Sequence, residues 1–137
     1  MKIAIINGPN LNLLGKREPE IYGTESFEDF FKYLEDKHDK IQLTYFQSNI
    51  EGELIDQIQK IGFSFDGIIL NPGGYTHTSV ALGDAIASVT TPVVEVHISN
   101  IFGREEFRKL SHVSAKAKGG ISGLGLKGYE LALLYFI

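Results

Sequence analysis

Residues 3–23, IAIINGPNLNLLGKREPEIYG, set the pattern that the rest of the chain follows. The apolar run Ile3–Ile6 predicts a strand buried on both faces of a parallel sheet. Residues 7–23 then connect this strand to a helical pattern that begins near Ser26. The connection is much longer than the roughly 2–6 residues usual between a strand and a helix. A connection of this length is either a flexible surface insertion or a binding loop, and its own sequence leaves both interpretations open.

Strand and helix patterns alternate along the remaining chain. Apolar runs predict strands at residues 41–46, 67–70 and 93–98 and a weak one near 120–122. Helical spacing of apolar residues predicts helices from Ser26, over 54–61, 79–86 and 129–137, with a short polar helix near 104–110. Ser26, with Asp29 three residues on, is a typical helix N-cap. The alternation predicts an α/β fold, a doubly wound sheet of five parallel strands, in a single domain over residues 1–137.

Composition excludes several classes of protein. The chain of 137 residues has a net charge of -4 and no basic run, so we expect no nucleic-acid partner. It has no cysteine, which removes disulfides, thiolate nucleophiles and cysteine-ligated metals. The first apolar run is too short for a signal peptide, and none approaches the ~20 residues of a membrane span. We therefore predict a cytoplasmic protein without a membrane partner.

Polar residues cluster directly after four predicted strands, at residues 7–23, 47–49, 71–78 and 97–100. The carboxyl ends of parallel strands meet at one edge of a sheet, and ligands of open α/β sheets bind at that edge. This position favours a binding loop over a surface insertion for residues 7–23.

Familiar cofactor and metal motifs do not occur at this edge. The loop after the first strand lacks G-x-G-x-x-G, and Gly15-Lys16-Arg17 is not a P-loop. His77 and His97 alone make a poor metal site. Glu95 and His97 share one face of a strand, where a carboxylate more naturally orients an imidazole than completes a metal site. His38 lies among charged residues, so we expect it to be solvated and without a role.

With cofactor and metal motifs excluded, the polar residues at this edge favour acid–base chemistry by tyrosine and histidine. A tyrosine side chain ordinarily has a pKa of about 10, so a tyrosinate base near neutral pH needs a nearby guanidinium. Arg17 lies five residues before Tyr22 on the same loop. The hypothesis is that Arg17 favours the ionised form of Tyr22; the alternative is a solvated Arg17 and a Tyr22 that only packs.

Four blocks carry a resemblance to a known family: GPNLNLLGKREPEIYG at 8–23, FQSNIEG at 46–52, NPGGYTHTSVAL at 71–82 and VEVHISNIFGREEFR at 94–108. Their order and content resemble the type II 3-dehydroquinate dehydratases. The resemblance implies a flavodoxin-like fold and a lyase of the shikimate (aromatic amino acid) or quinate pathway. The implied reaction is the reversible anti dehydration of 3-dehydroquinate to 3-dehydroshikimate through an enolate, with no metal and no organic cofactor.

The resemblance also implies roles for individual residues. Tyr22 would be the proton acceptor and His97 the proton donor, with Arg17 stabilising the transition state, Glu95 behind the imidazole and Asn10 near the enolate oxygen. The implied substrate-binding residues are Asn71, His77, Ile98, Ser99, Arg108 and, from a neighbouring subunit, Asp84. The implied assembly is a homododecamer built from trimers.

Two alternatives to an enzyme stay open from sequence alone: a binding module for a small anionic ligand, and a purely structural oligomer. One departure from the family pattern concerns helix 79–86, where Gly83 stands in place of a more common arginine. A glycine inside a helix costs about 1 kcal/mol relative to alanine.

Overall fold

The computed structural model describes all 137 residues and contains one five-stranded parallel sheet. The strands are β1 (Lys2–Asn7), β2 (Gln42–Gln47), β3 (Gly67–Asn71), β4 (Val93–His97) and β5 (Gly119–Ser122). The helices are α1 (Pro19–Tyr22), α2 (Phe27–Lys37), α3 (Glu51–Ile61), α4 (Val80–Ala87) and α5 (Lys127–Phe136). The strand order β2-β1-β3-β4-β5 is that of a flavodoxin-like fold, so the predicted fold class is confirmed.

Helices cover both faces of the sheet, and β1 shows why its sequence is a continuous apolar run. Ile3 and Ile5 pack in one buried cluster with residues of α2 and α5. Ala4 and Ile6 point to the opposite face and pack with residues of α3 and α4. Successive side chains of a strand alternate between faces, so a strand covered on both sides has no position left for a polar residue.

The start of α2 follows the predicted capping pattern. The side chain of Ser26 accepts a hydrogen bond from the backbone N–H of Asp29 at 3.2 Å. Phe27, Phe30 and Leu34 are buried along one side of the helix, as their spacing predicts.

The segment predicted as a short polar helix at 104–110 is not an α-helix. It contains one 3₁₀ turn, Glu106–Lys109, which is separated from an earlier 3₁₀ turn, Ile101–Gly103, by the extended residue Arg104. The extended residue Arg104 directs its side chain away from the two turns, where it donates hydrogen bonds to Tyr22 and Ser99.

The prediction of a solvated His38 was wrong. Its Nε2 lies 3.2 Å from a carboxylate oxygen of Glu130, a buried residue of α5. Glu130 is also paired with Lys37 and Lys127, and Tyr33 donates a hydrogen bond to it. A buried carboxylate requires such partners, and here they tie the end of α2 to α5.

The connection from β1 to α2 contains more regular structure than its sequence predicted. A 3₁₀ turn spans Leu11–Leu13, and the four-residue helix α1 follows. No helix of the structure combines the length and the hydrophobicity that crossing a bilayer requires.

Candidate active site

A cavity of about 110 Å³ lies at the carboxyl ends of β1, β3 and β4, beneath the loop that carries α1. Nine of the residues expected at a site line it: Asn10, Arg17, Tyr22, Asn71, His77, His97, Ile98, Ser99 and Arg108. Its lining includes three guanidinium groups and no carboxylate, although the whole chain has a net charge of -4. A small cavity lined in this way suits a small anionic molecule.

Tyr22 lies at the end of α1, with its hydroxyl between two arginines. Nη2 of Arg17 donates a hydrogen bond to this oxygen at 3.4 Å, and its guanidinium lies 4.4 Å from the ring centroid. Nη1 of Arg104 donates to the same oxygen at 3.0 Å and to Oγ of Ser99 at 3.2 Å. Two positive groups directed at one phenolic oxygen stabilise negative charge on it.

Arg104 is a site residue that sequence reasoning missed. It is 82 residues from Tyr22 in sequence and lies between two turns of an otherwise charged and exposed segment. No local pattern separates it from its neighbours. The available signal was its position, seven residues after the end of β4, within the block that carries the family resemblance.

The root of the loop is held by amide side chains at and just after the end of β2. Asn10 adopts a left-handed conformation with φ of 71°, and its backbone N–H donates to Oδ1 of Asn49 at 2.9 Å. Nε2 of Gln47 donates to the carbonyl of Gly8 at 3.1 Å and to Asn49. Asparagine tolerates positive φ better than most residues, so this sequence suits a sharp entry into the loop.

His97 is buried at the end of β4 against the carboxylate of Glu95. The distance from Nε2 to Oε2 is 2.6 Å. Since a carboxylate only accepts, Nε2 carries a proton, and Nδ1 is the ring nitrogen without a hydrogen-bond partner in the protein. The imidazole can therefore exchange a proton with a ligand through Nδ1.

Glu95 is charged despite its burial because hydroxyl groups surround it. Burial raises the pKa of Glu95, but hydrogen bonds from His97, Ser114 and Thr76 outweigh this and lower it to about 2. The contacts from Ser114 Oγ and Thr76 Oγ1 are 2.6 Å and 2.7 Å long, and Ser111 adds longer ones. A charged carboxylate behind an imidazole fixes its orientation and raises its basicity.

His77 and Arg108 are two further polar residues that line the cavity. Nδ1 of His77 donates to the carbonyl of Leu110 at 2.7 Å, which leaves Nε2 as an acceptor. Burial lowers the pKa of His77, and the positive charge of Arg108 acts in the same direction. Nε of Arg108 pairs with Glu105 at 2.8 Å.

The structure does not bring Asp84 into this cavity. Asp84 is exposed on α4, and it is absent from the residues that line the site. Its expected contribution to a neighbouring subunit stays a prediction. No three His, Asp or Glu side chains converge in an arrangement that would hold a metal ion.

Comparison with known sequences identifies the family to which this chain belongs. The sequence model of the family described as "Dehydroquinase class II" matches residues 1–137. The chain belongs to the class II dehydroquinase family. It is similar to the 3-dehydroquinate dehydratase of Fusobacterium nucleatum, with 55% identity over 100% of this chain and 97% of that protein. It is also similar to the 3-dehydroquinate dehydratase of Bacillus licheniformis, with 52% identity over 98% and 94% of the two chains.

A solved class II structure extends the likeness to the fold. The type II dehydroquinase from Butyrivibrio crossotus superposes with a TM-score of 0.95 and is 48% identical, covering 99% of this chain and 97% of that one. The recognition made from four sequence blocks is thus confirmed over the full length of the chain.

In this class II dehydroquinase, the backbone of His112 packs closely against Gly83 of α4. A Cβ atom at Gly83 would overlap with the carbonyl oxygen of His112. The helix-propensity cost of glycine is therefore offset by packing that only glycine allows. The segment containing His112 lies directly against α4 and also supplies Ser111 and Ser114 to Glu95.

Proposed function

We propose that this chain is a lyase of the shikimate pathway, catalysing the reversible dehydration of 3-dehydroquinate to 3-dehydroshikimate. One observation carries the proposal beyond family membership: a tyrosine hydroxyl contacted by two arginines and a histidine backed by a buried carboxylate line the same small cavity. The tyrosine can act as the base and the histidine as the acid, so the dehydration needs no further proton-transfer group.

In the proposed mechanism, the Tyr22 oxygen acts as phenolate and removes the proton from the carbon next to the substrate ketone. The electron pair of that C–H bond forms an enolate. When the enolate returns to a ketone, its electron pair expels the hydroxyl group of the next carbon, and His97 donates the proton that makes this group water. Tyr22 has gained one proton and His97 has lost one, so proton transfer through solvent restores the starting state.

Other residues of the cavity have supporting roles in this proposal. Arg17 stabilises the charge on Tyr22, Glu95 holds His97, and Asn10 contributes to stabilising the enolate oxygen. The hydroxyl and carboxylate groups of the substrate would be bound by Asn71, His77, Ile98, Ser99 and Arg108. The guanidinium groups provide the positive charge that a substrate carboxylate requires.

The decisive experiment follows the absorbance of the conjugated enone after 3-dehydroquinate is added to the purified protein. We expect product formation with the parent chain and none above background with Tyr22→Phe. Well-folded protein that binds 3-dehydroquinate but forms no enone would contradict the proposal and leave a binding module as the function.

We also propose that the enzyme is a cytoplasmic protein of one domain and that it assembles as a homododecamer from trimers. In this assembly Asp84 would reach the site of a neighbouring subunit. The supporting observation is the exposure of Asp84 outside its own cavity. Light scattering gives the mass in solution. A fully active monomer would contradict the assembly, because Asp84 would then have no site to reach.

A further inference from the structure

Tyr129 connects the last helix to the floor of the cavity. Its hydroxyl, on a fully buried side chain of α5, lies between the amides of Asn7 and Asn71. The distances are 2.8 Å to Oδ1 of Asn7 and 2.7 Å to Nδ2 of Asn71. These asparagines end β1 and β3 and are register partners in the sheet. One hydroxyl therefore joins the two strand ends over which the cavity is built.

The orientation of the Asn71 amide is fixed by one backbone amide. The N–H of Gly73 donates to Oδ1 of Asn71 at 3.0 Å. Because a backbone N–H only donates, Oδ1 of Asn71 must face Gly73, and Nδ2 must face Tyr129. The Tyr129 oxygen is then an acceptor from Asn71, and its own proton goes to Asn7.

Tyr129 stays protonated well above neutral pH. Complete burial raises the pKa of Tyr129 well above that of a free tyrosine, so its proton stays on the oxygen. The ring is fully buried and packs edge-on against Phe27 with centroids 5.0 Å apart, a contact that favours one position of the side chain.

The arrangement matters for the cavity because Asn71 and Gly73 both line it. An amide side chain presents different groups to a ligand in its two orientations, a carbonyl oxygen or an NH₂ group. Without the acceptor at Tyr129, Asn71 would lose one of the two contacts that select a single orientation. We propose that Tyr129 is a positioning residue for substrate binding, which holds the Asn71 amide in the orientation that the substrate requires.

This inference rests on the proposed function, since it concerns how the same cavity binds 3-dehydroquinate. It predicts a KM effect that is separate from stability. Removal of the hydroxyl in Tyr129→Phe keeps the ring in the core but frees the Asn71 amide. We expect KM to rise about tenfold with kcat changed less than about twofold, because the lost contact acts on bound substrate and transition state alike.

A double-mutant cycle separates positioning from general destabilisation. Asn71→Ala alone should raise KM by at least about tenfold, and Tyr129→Phe added to it should change KM by less than about twofold. The effect of the hydroxyl would thus disappear when the amide that it positions is absent. A purely structural role of Tyr129 would instead give the same KM change in both backgrounds.

Tyr135→Phe is a control on the same helix. Tyr135 is exposed on α5, packs against Phe136, and its hydroxyl does not line the cavity. Its removal should leave KM within about twofold of the parent value. If Tyr129→Phe does not fold by circular dichroism, Asn7→Ala replaces it, because it removes the acceptor that fixes the hydroxyl, and the same dependence on Asn71 is expected.

The outcomes are distinguishable. A parent chain that forms no enone contradicts the proposed function and with it this inference. An active parent with an unchanged KM in Tyr129→Phe, or with additive KM changes in the cycle, overturns the positioning role alone. A KM increase that is lost in the Asn71→Ala background supports it.

Discussion

The two sides of the cavity are built in different ways. His97 and Glu95 belong to β4, are buried, and make contacts below 3 Å with each other and with neighbouring hydroxyl groups. Tyr22 ends the short helix α1, and Arg17 and Arg104 lie on loops; all three are partly exposed, and the arginines contact the Tyr22 hydroxyl at 3.4 and 3.0 Å. The proposed acid is therefore part of the core, whereas the proposed base depends on contacts between loops. Substitutions on the two sides should differ in their effect on stability.

The largest expected effect is on the loop side. Tyr22→Phe should lower kcat by about 10³-fold, because a positioned base contributes about 10²–10⁴-fold. The free energy of unfolding should change by less than about 0.5 kcal/mol, since the hydroxyl is partly exposed. Enone formation and urea unfolding measure the two quantities, with the exposed Tyr135→Phe as control. Retention of a substantial fraction of kcat would reject Tyr22 as the base.

On the core side, His97→Ala should lower kcat by about 10²-fold or more because the leaving hydroxyl lacks its acid. It should also destabilise the protein by roughly 1–3 kcal/mol, because it leaves the Glu95 carboxylate buried without one of its partners. Exchange of the proton next to the ketone with deuterated solvent should continue, since Tyr22 is intact. Equal loss of exchange in the His97 and Tyr22 variants would show that the division of roles is wrong.

Acid should weaken the core side selectively. The pKa of Glu95 is lowered from 4.5 to about 2 in the folded state. Its stabilising contribution is therefore present above pH ~4.5 and is lost as the pH falls towards 2; roughly 2 kcal/mol should disappear by pH 3. Urea unfolding of the parent and Glu95→Gln between pH 7 and pH 3 measures this. Parallel curves for the two proteins would mean that Glu95 is not the group responsible.

The smallest expected effect concerns Arg104. Arg104→Ala should lower kcat about tenfold, because Arg17 still contacts the Tyr22 hydroxyl, and should leave the free energy of unfolding within about 0.5 kcal/mol. Lys109→Ala, an exposed cation on the neighbouring turn, is the matched control and should have no effect. A loss of stability comparable to that of His97→Ala would remove the distinction between the two sides.

Much of the fold could be predicted from the sequence because its signals are local. The apolar run Ile3–Ile6 and the helical spacing from Ser26 each specify an element from adjacent residues. Parallel strands place their following loops at one edge, so the contents of the cavity followed from the order of strands and polar clusters. The structure brought Arg17 and Tyr22 into contact, as their shared loop suggested.

The residues that could not be predicted are those whose partners are distant in sequence. Arg104 has no local pattern that directs it to Tyr22, and His38 is surrounded by charges although it contacts Glu130, 92 residues away. The sequence places Tyr129 on the apolar face of α5. It does not show that the Tyr129 hydroxyl contacts residues at the ends of β1 and β3. For Gly83, the sequence predicted a cost in helix propensity. It did not predict that the carbonyl group of His112 packs against this position.

The hydrogen bond between Tyr129 and Asn7 spans 122 residues and has a consequence for biosynthesis. The ribosome adds about 5–20 residues per second, and domains often begin to fold during translation. In this chain β1 emerges first, yet one of its terminal side chains finds its partner only when α5 has left the ribosome. A nascent chain that lacks α5 cannot complete the floor of the cavity, so the binding site forms only after the last helix has been synthesised.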